Sequence, residues 1–380
     1  MVGRVAAVFA LNGALFASFV SRVPDLREAL SLGNGGLGLL LLAIAVGSLV
    51  ALPTTGALVA RWGPAPVLRG GLALATAGLV LAPLGADLAA SVPVTVAGLV
   101  LYGAGVGVWD VAMNVEGAEV ERRVGRTVMP RFHAAFSLGT VGGALLGVLV
   151  VRVGVPMSVH LPVLALLSVP VVLAATAGFL PAVRVEGGSG AAGAWLEPRT
   201  LLVGLMVLTF AAGEGSANDW LALALVDGHG AADWVGVAGY AGFVSAMTLG
   251  RLVGPQVLDR WGRVPALWAT AGLVAVGVVL VVHAPAWPLV ALGCLVWGLG
   301  ASLGFPVGMS AAADDPVGAA ARVSVVSTIG YAAFLAGPPL LGALGDRVGT
   351  LDSLQVIAVL MVPAALLALA TRAPVAKVSA

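Results

Sequence analysis

Three short stretches of the sequence set ionisable or amide side chains at helical spacing within apolar surroundings. In VWDVAMNVE, starting at Val108, Asp110 and Asn114 stand four residues apart and share one helix face. In MPRFHAAFSLGT, starting at Met129, His133, Ser137 and Thr140 form a polar stripe, and Gly139, Gly143 and Gly147 form a second stripe of small residues four apart. A glycine stripe permits close contact with a neighbouring helix, while the polar face suits a cavity. In GEGSANDW, starting at Gly213, Glu214 and Asn218 repeat the four-residue interval, with Asp219 and Trp220 beside them. Asn12 and Tyr331 lie near the middle of two further apolar runs. Carboxyl, amide, imidazole and phenol groups so placed can bind a polar solute or carry a proton. Their structural alternative is hydrogen bonding that only fixes the packing of helices.

The elements that must position these groups are helices in lipid. With 60% hydrophobic residues, 53 glycines and a mean hydropathy of +1.06, the chain holds more apolar side chain than one water-soluble core can hide. Twelve apolar runs fall at about 4–22, 36–59, 68–87, 92–113, 131–152, 157–180, 200–222, 234–257, 264–283, 287–310, 318–344 and 352–371. Each is long enough for a hydrocarbon core of about 30 Å, which takes roughly 20 helical residues. The first run continues through SFVSRVPDL without a small-residue cleavage site, so it reads as a retained helix. Placing the N-terminus in the cytoplasm puts thirteen of the 19 basic residues inside and four, Arg22, Arg27, Arg152 and Arg347, outside. Arg251 and Arg322 remain within spans. That asymmetry sets both termini in the cytoplasm.

Insertion scales charge about 2.5–3.5 kcal/mol for an ionised Asp at the centre of a membrane helix, so Asp110 is expected to face a cavity or another helix. Glu214, about fourteen residues into its run, is the deepest acid from the cytoplasmic side and the first candidate to couple protons to conformation. Asp110 is a second candidate for proton coupling and His133 the next, with an interfacial hydrogen-bonding role beside Arg131 as the alternative for His133. Trp109, Trp220 and Trp297 could stack on a ligand, although packing explains each more simply. Glu116, Glu119 and Glu121 precede Arg122 and Arg123 and read as solvated anchors, Glu119 and Arg123 at the spacing of an ion pair.

Other chemistry is poorly supported. Gly103-Ala104-Gly105-Val106-Gly107 lies inside a membrane run with no preceding strand, which removes the dinucleotide reading. Asp314-Asp315-Pro316 has no second acidic cluster to complete a metal site, and the single cysteine, Cys294, lies in an apolar run. No HExxH, CxxC or GK[ST] motif occurs, so neither a metalloprotease nor an ATP-driven pump is expected. The chain reads as a non-enzyme without cofactor, metal or nucleic-acid partner.

The chain also repeats itself. Its one long polar, Gly-rich connection, residues 181–199, has six runs on each side. Ala60-Arg61-Trp62-Gly63 matches Asp259-Arg260-Trp261-Gly262 at an offset of 199, and Arg152-Val153-Gly154 matches Arg347-Val348-Gly349 at 195. Run n thus maps onto run n+6. The division expected is a six-helix half over 1–180, a cytoplasmic loop over 181–199, a second half over 200–371 and a short tail over 372–380.

Six plus six runs, the long central loop and the turn Asp259-Arg260-Trp261-Gly262-Arg263 resemble the major facilitator superfamily over essentially the whole chain. WDVAMNVEGAEVERR, MPRFHAAFSLG, GEGSANDW and GPPLLGALGDR further resemble a bacterial branch of permeases grouped loosely with the fucose permeases. The resemblance implies an all-α integral membrane protein of twelve helices in two pseudo-symmetric halves, with Asp259, Arg260, Gly262 and Arg263 as a gating turn. If Asp259 stabilises the outward-facing state, it does so by meeting the positive end of the eleventh helix, near Pro316 to Ala320. Ala60 stands where the family's first gating turn carries Asp, and Pro255 replaces an expected glycine. Alternating access then moves a small solute across the cytoplasmic membrane, with proton symport as the first mode and proton-driven export of a drug-like compound as the second. A monomer is expected, with Asp110, Asn114, Asn12, Ser137, Asn218, Trp220 and Tyr331 as solute contacts.

Overall fold

The computed structural model describes residues 1–32, 34–180 and 191–373. Most of the 181–199 connection and of the tail therefore lies outside the described residues. Those residues form helices and no strand. This follows from the solvent, because lipid offers no partner for backbone N–H and C=O groups and a helix satisfies them within one segment.

Twelve long segments follow in order: α1 Val2–Ala29, α2 Gly36–Trp62, α3 Pro64–Asp87, α4 Val92–Val124, α5 Met129–Arg152, α6 Met157–Thr176, α7 Pro198–His229, α8 Asp233–Trp261, α9 Arg263–His283, α10 Trp287–Ala312, α11 Ala319–Val348 and α12 Thr350–Thr371. Eleven are apolar enough to cross a bilayer by composition as well as length. The remaining one, α8, has 29 residues and spans about 43 Å at 1.5 Å per residue, but it carries Arg251, Asp259 and Arg260. Many of the large apolar side chains that stay exposed, among them Leu39, Val50, Leu145, Leu340 and Val359, belong to these segments and suit contact with lipid tails.

Several segments depart from the straight helix that their apolar runs predict, among them α10, which breaks between Ala301 and Gly304. The helix of α1 stops at Val20 and restarts at Val23, so Arg22 caps a second short piece, Val23–Ala29. In α7, residues Ala217–Leu221 form a π-helical turn between two α-helical stretches. Such single turns widen a helix locally and recur at functional sites.

The backbone reproduces the repeat seen in the sequence. Gly63 (φ 83°, ψ 166°) closes α2 and Gly262 (φ 79°, ψ 169°) closes α8, each leading directly into the next helix. That region of φ/ψ space is essentially restricted to glycine, which explains why the ARWG and DRWG turns both end on one.

The chain divides into two compact units. The N-terminal unit comprises Met1–Val124, Phe132–Ala192 and Pro316–Ser324; the C-terminal unit comprises Gly125–Arg131, Gly193–Asp315 and Val325–Ala380. Within the N-terminal unit, α1 and α5 approach until backbone meets backbone. A Cβ on Gly139 would lie 1.9 Å from the Ala10 carbonyl oxygen, and one on Gly143 would lie 2.2 Å from that of Ala14. The glycine stripe thus faces a neighbouring helix, as its spacing predicts.

Candidate functional site

In the N-terminal unit, α4 and α5 bring together Asp110, Asn114 and His133, all at least nine-tenths buried. Asn114 Nδ2 donates to the Asp110 backbone oxygen at 2.9 Å and to its Oδ1 at 3.2 Å. The amide oxygen of Asn114 then faces His133 Nε2 at 3.2 Å. With the amide so oriented, Nε2 must donate, which places the ring proton on that nitrogen. The i, i+4 pair therefore continues across a helix boundary into a chain of carboxyl, amide and imidazole. Phe9 of α1 closes the far side of the imidazole, edge to face at 5.2 Å between centroids.

Two further sequence candidates sit around this chain. Ser137 Oγ donates to the His133 backbone oxygen at 3.2 Å and Thr140 Oγ1 to that of Phe136 at 3.0 Å, so both hydroxyls bond within their own helix. Asn12, 3% exposed, points its amide at Met113 Sδ, 3.8 Å away. Thus α1, α4 and α5 each direct polar groups to the same part of the unit.

In the C-terminal unit the Glu214 carboxylate meets Arg251 of α8. Arg251 Nη2 donates to Oε2 at 2.9 Å and Oε1 at 3.1 Å, with side-chain exposures of 4% for Arg251 and 15% for Glu214. One turn on, Asn218 Oδ1 accepts from the Tyr240 hydroxyl at 3.3 Å. Both members of the i, i+4 pair on α7 therefore address α8, and the π turn begins between them. Trp220 packs its ring edge against Gly342, where a Cβ would lie 3.2 Å from the ring. Tyr331 is held edge to face between Phe305 and Phe334, at 6.2 and 5.9 Å. Trp109 and Trp297 are fully buried, which fits packing rather than ligand stacking.

The turn around Asp259 differs from its expected geometry. Asp259 Oδ1 accepts from the Thr127 hydroxyl at 2.5 Å and the Thr127 N–H at 3.3 Å. The helix start it meets is that of α5, because segment 125–131 packs in the C-terminal unit, whereas the start of α11 packs in the N-terminal unit. There Ser324 Oγ donates to the Leu52 backbone oxygen, and Gly56 lies against Ala320 and Ala321. Arg260 is exposed at the end of α8. Arg263 donates to both Asp314 oxygens at 2.7 and 2.8 Å, and Arg199 reaches Asp314 Oδ2 at 2.6 Å. Asp314 is thus a clamp between two cations, a role its sequence surroundings did not reveal.

Glu116 is a second correction. It is 1% exposed rather than solvated, with Oε1 accepting the Leu180 N–H at 2.9 Å and Oε2 buried without a hydrogen-bond partner among the described residues. Glu119 behaves as its spacing predicts, holding Arg123 at 2.8 Å and Arg122 at 2.7 Å.

Long apolar helices, with Asp110, Asn114 and His133 buried in the N-terminal unit and Arg251 buried against Glu214 in the C-terminal unit, make this a multi-pass membrane protein. The sequence profile of the Major Facilitator Superfamily matches residues 5–326, and the chain belongs to that superfamily. It is 35% identical over 349 residues to an uncharacterized transporter, y4wD, of Sinorhizobium fredii, covering 90% of each chain. An uncharacterized MFS-type transporter of Yersinia pestis is 32% identical over 342 residues, covering 89% of this chain and 87% of the relative. Among solved structures, the E. coli fucose:proton symporter FucP superposes with a TM-score of 0.79 at 15% identity, covering 97% of both chains. The proton:xylose symporter XylE gives a TM-score of 0.72 at 16% identity, covering 96% of this chain and 94% of the other. These two likenesses are of fold.

Proposed function

We propose that this secondary transporter moves a small polar solute together with protons across the cytoplasmic membrane, by alternating access between its two six-helix halves. The observation that carries the coupling is the Glu214–Arg251 pair, a carboxylate and a guanidinium removed from solvent on facing helices. Protonating Glu214 cancels the charge attraction across the α7–α8 contact, and the adjacent π turn gives α7 a place to change its winding. Glu214 is therefore the proton carrier. Asp110 and Asn114, with Asn12 and Ser137, are the solute contacts of the N-terminal unit, and Asn218, Trp220 and Tyr331 are those of the C-terminal unit. His133, hydrogen-bonded to Asn114, is the second titratable group of the path.

The turn Asp259, Arg260, Gly262 and Arg263 acts as the gate, with Thr127 and Asp314 as partners. Thirteen cations against four orient both termini to the cytoplasm, and a single chain suffices. The fucose:proton and proton:xylose symporters that share this fold support a solute with hydroxyl groups. A thermal-shift screen of monosaccharides and polyols on the purified protein identifies the solute, because a ligand bound only by the folded state raises its apparent stability. In liposomes loaded with a pH-sensitive dye, adding that solute outside should acidify the lumen. A ligand that binds and crosses without moving protons would contradict the coupling.

A further inference from the structure

Arg22 sits at the break in α1, 2% exposed, and one guanidinium there ties three segments together. Its Nη2 donates to the Val155 backbone oxygen in the turn before α6, at 2.7 Å. Its Nη1 reaches Asp25 Oδ2 at 3.2 Å, and its Nε donates to Nδ1 of His160, in the first turn of α6, at 3.1 Å. Arginine offers donors only and does not give up its proton in proteins. His160 Nδ1 is therefore an acceptor, and the ring's one proton lies on Nε2, which is buried without a hydrogen-bond partner among the described residues. A second proton, on Nδ1, would set N–H against N–H and one cation against another.

We propose that the Arg22–His160 contact is a pH-operated fastener, which holds the break in α1 to the start of α6 while His160 is neutral and releases it when His160 is protonated. A freed guanidinium has acceptors at hand. Asp25, Glu28 and Asp87 line a cavity of about 370 Å³ beside it. Asp87 also receives the Ser158 N–H at 2.8 Å and so braces the same end of α6. The charged groups that act on His160 are Arg22 and Asp25 of α1, while Glu28 of α1 and Asp87 of α3 line the cavity beside Arg22 and Arg152 is exposed at the end of α5. In the proposed topology this end faces outside, where acidity varies. That sidedness rests on the orientation above, whereas the fastener itself does not.

Hydrogen–deuterium exchange with mass spectrometry on the full-length protein in phospholipid nanodiscs reads both segments, residues 20–30 and 155–162. As pH falls from about 7.5 through and below the range in which histidine ordinarily titrates, their exchange is expected to rise beyond the intrinsic effect of pH. The rise should be about tenfold, the scale of one lost charge-assisted hydrogen bond. His160→Gln keeps an acceptor but cannot take a proton, and should hold both segments at their neutral-pH protection throughout. If that variant does not fold, the wild type still decides. Exchange of the imidazole C2 hydrogen reports the titration of each of the four histidines, and that of His160 must coincide with the loosening of both segments. Flat wild-type protection, a pH response surviving in His160→Gln, or a His160 titration separate from the loosening would each overturn the proposal.

Discussion

Replacing Glu214 tests how the C-terminal unit is held and what its acid does. Arg251 is 4% exposed and Glu214 15%, so Glu214→Ala takes away the carboxylate that accepts from Nη2 of a cation with little access to water. Breaking a buried pair from one side costs about 3–5 kcal/mol. Glu214→Gln keeps an oxygen that can accept from Nη2, and a neutral hydrogen bond retains about half the strength of a charge-assisted one, leaving a loss of about 2 kcal/mol. For a cooperative unit of this size, roughly 2–4 °C of melting temperature accompanies each kcal/mol, so Glu214→Ala should melt about 10 °C lower and Glu214→Gln about 5 °C lower. The assay is thermal unfolding of the purified protein in detergent, extended to Arg251→Ala and the double variant. Residues that interact directly lose less together than apart, so the double variant should lose clearly less than the two single losses combined. Strictly additive losses, or a Glu214→Ala variant that melts with the wild type, would refute the pairing as an energetic contact.

Three further outcomes are expected. Gly139→Leu puts a side chain where even a Cβ would lie 1.9 Å from the Ala10 carbonyl oxygen, so it should force α1 from α5 and lower folded yield severely, as read by size-exclusion chromatography. Asp259→Asn weakens two hydrogen bonds from Thr127, and labelling of a cysteine placed at Thr127 is not needed to see it: cytoplasmic labelling of single cysteines at the proposed solute contacts should increase, whereas unchanged labelling would remove Asp259 from the gate. Reporters fused after Ala380 and within 187–193 should both be cytoplasmic, and an external signal from either would reverse the orientation drawn from the basic residues.

The long helices were legible because lipid demands uninterrupted apolar runs, and the repeat was legible because two equivalent turns both require glycine at positive φ. The Asp110–Asn114 and Glu119–Arg123 pairs could be read because both partners lie on one helix. Periodicity shows which residues share a face but not what the face meets. Arg251 was visible as a basic residue inside a span, yet its pairing with Glu214 joins positions 37 apart on different helices. Glu116 looked solvated because Arg122 and Arg123 follow it, but its partner is a backbone N–H 64 residues away. The π turn at Ala217–Leu221 carried no recognised local signal, and it lies where the cluster of polar residues in α7 already drew attention.

Coupling is tested most directly in liposomes containing the wild type, Asp110→Asn or Glu214→Gln, by comparing solute accumulation driven by a pH gradient with solute-for-solute exchange. Exchange needs no net change in protonation. Glu214→Gln should therefore lose accumulation while keeping most exchange, and Asp110→Asn should lower both by weakening solute binding. Wild-type accumulation in both variants would contradict the assignment of either acid to transport.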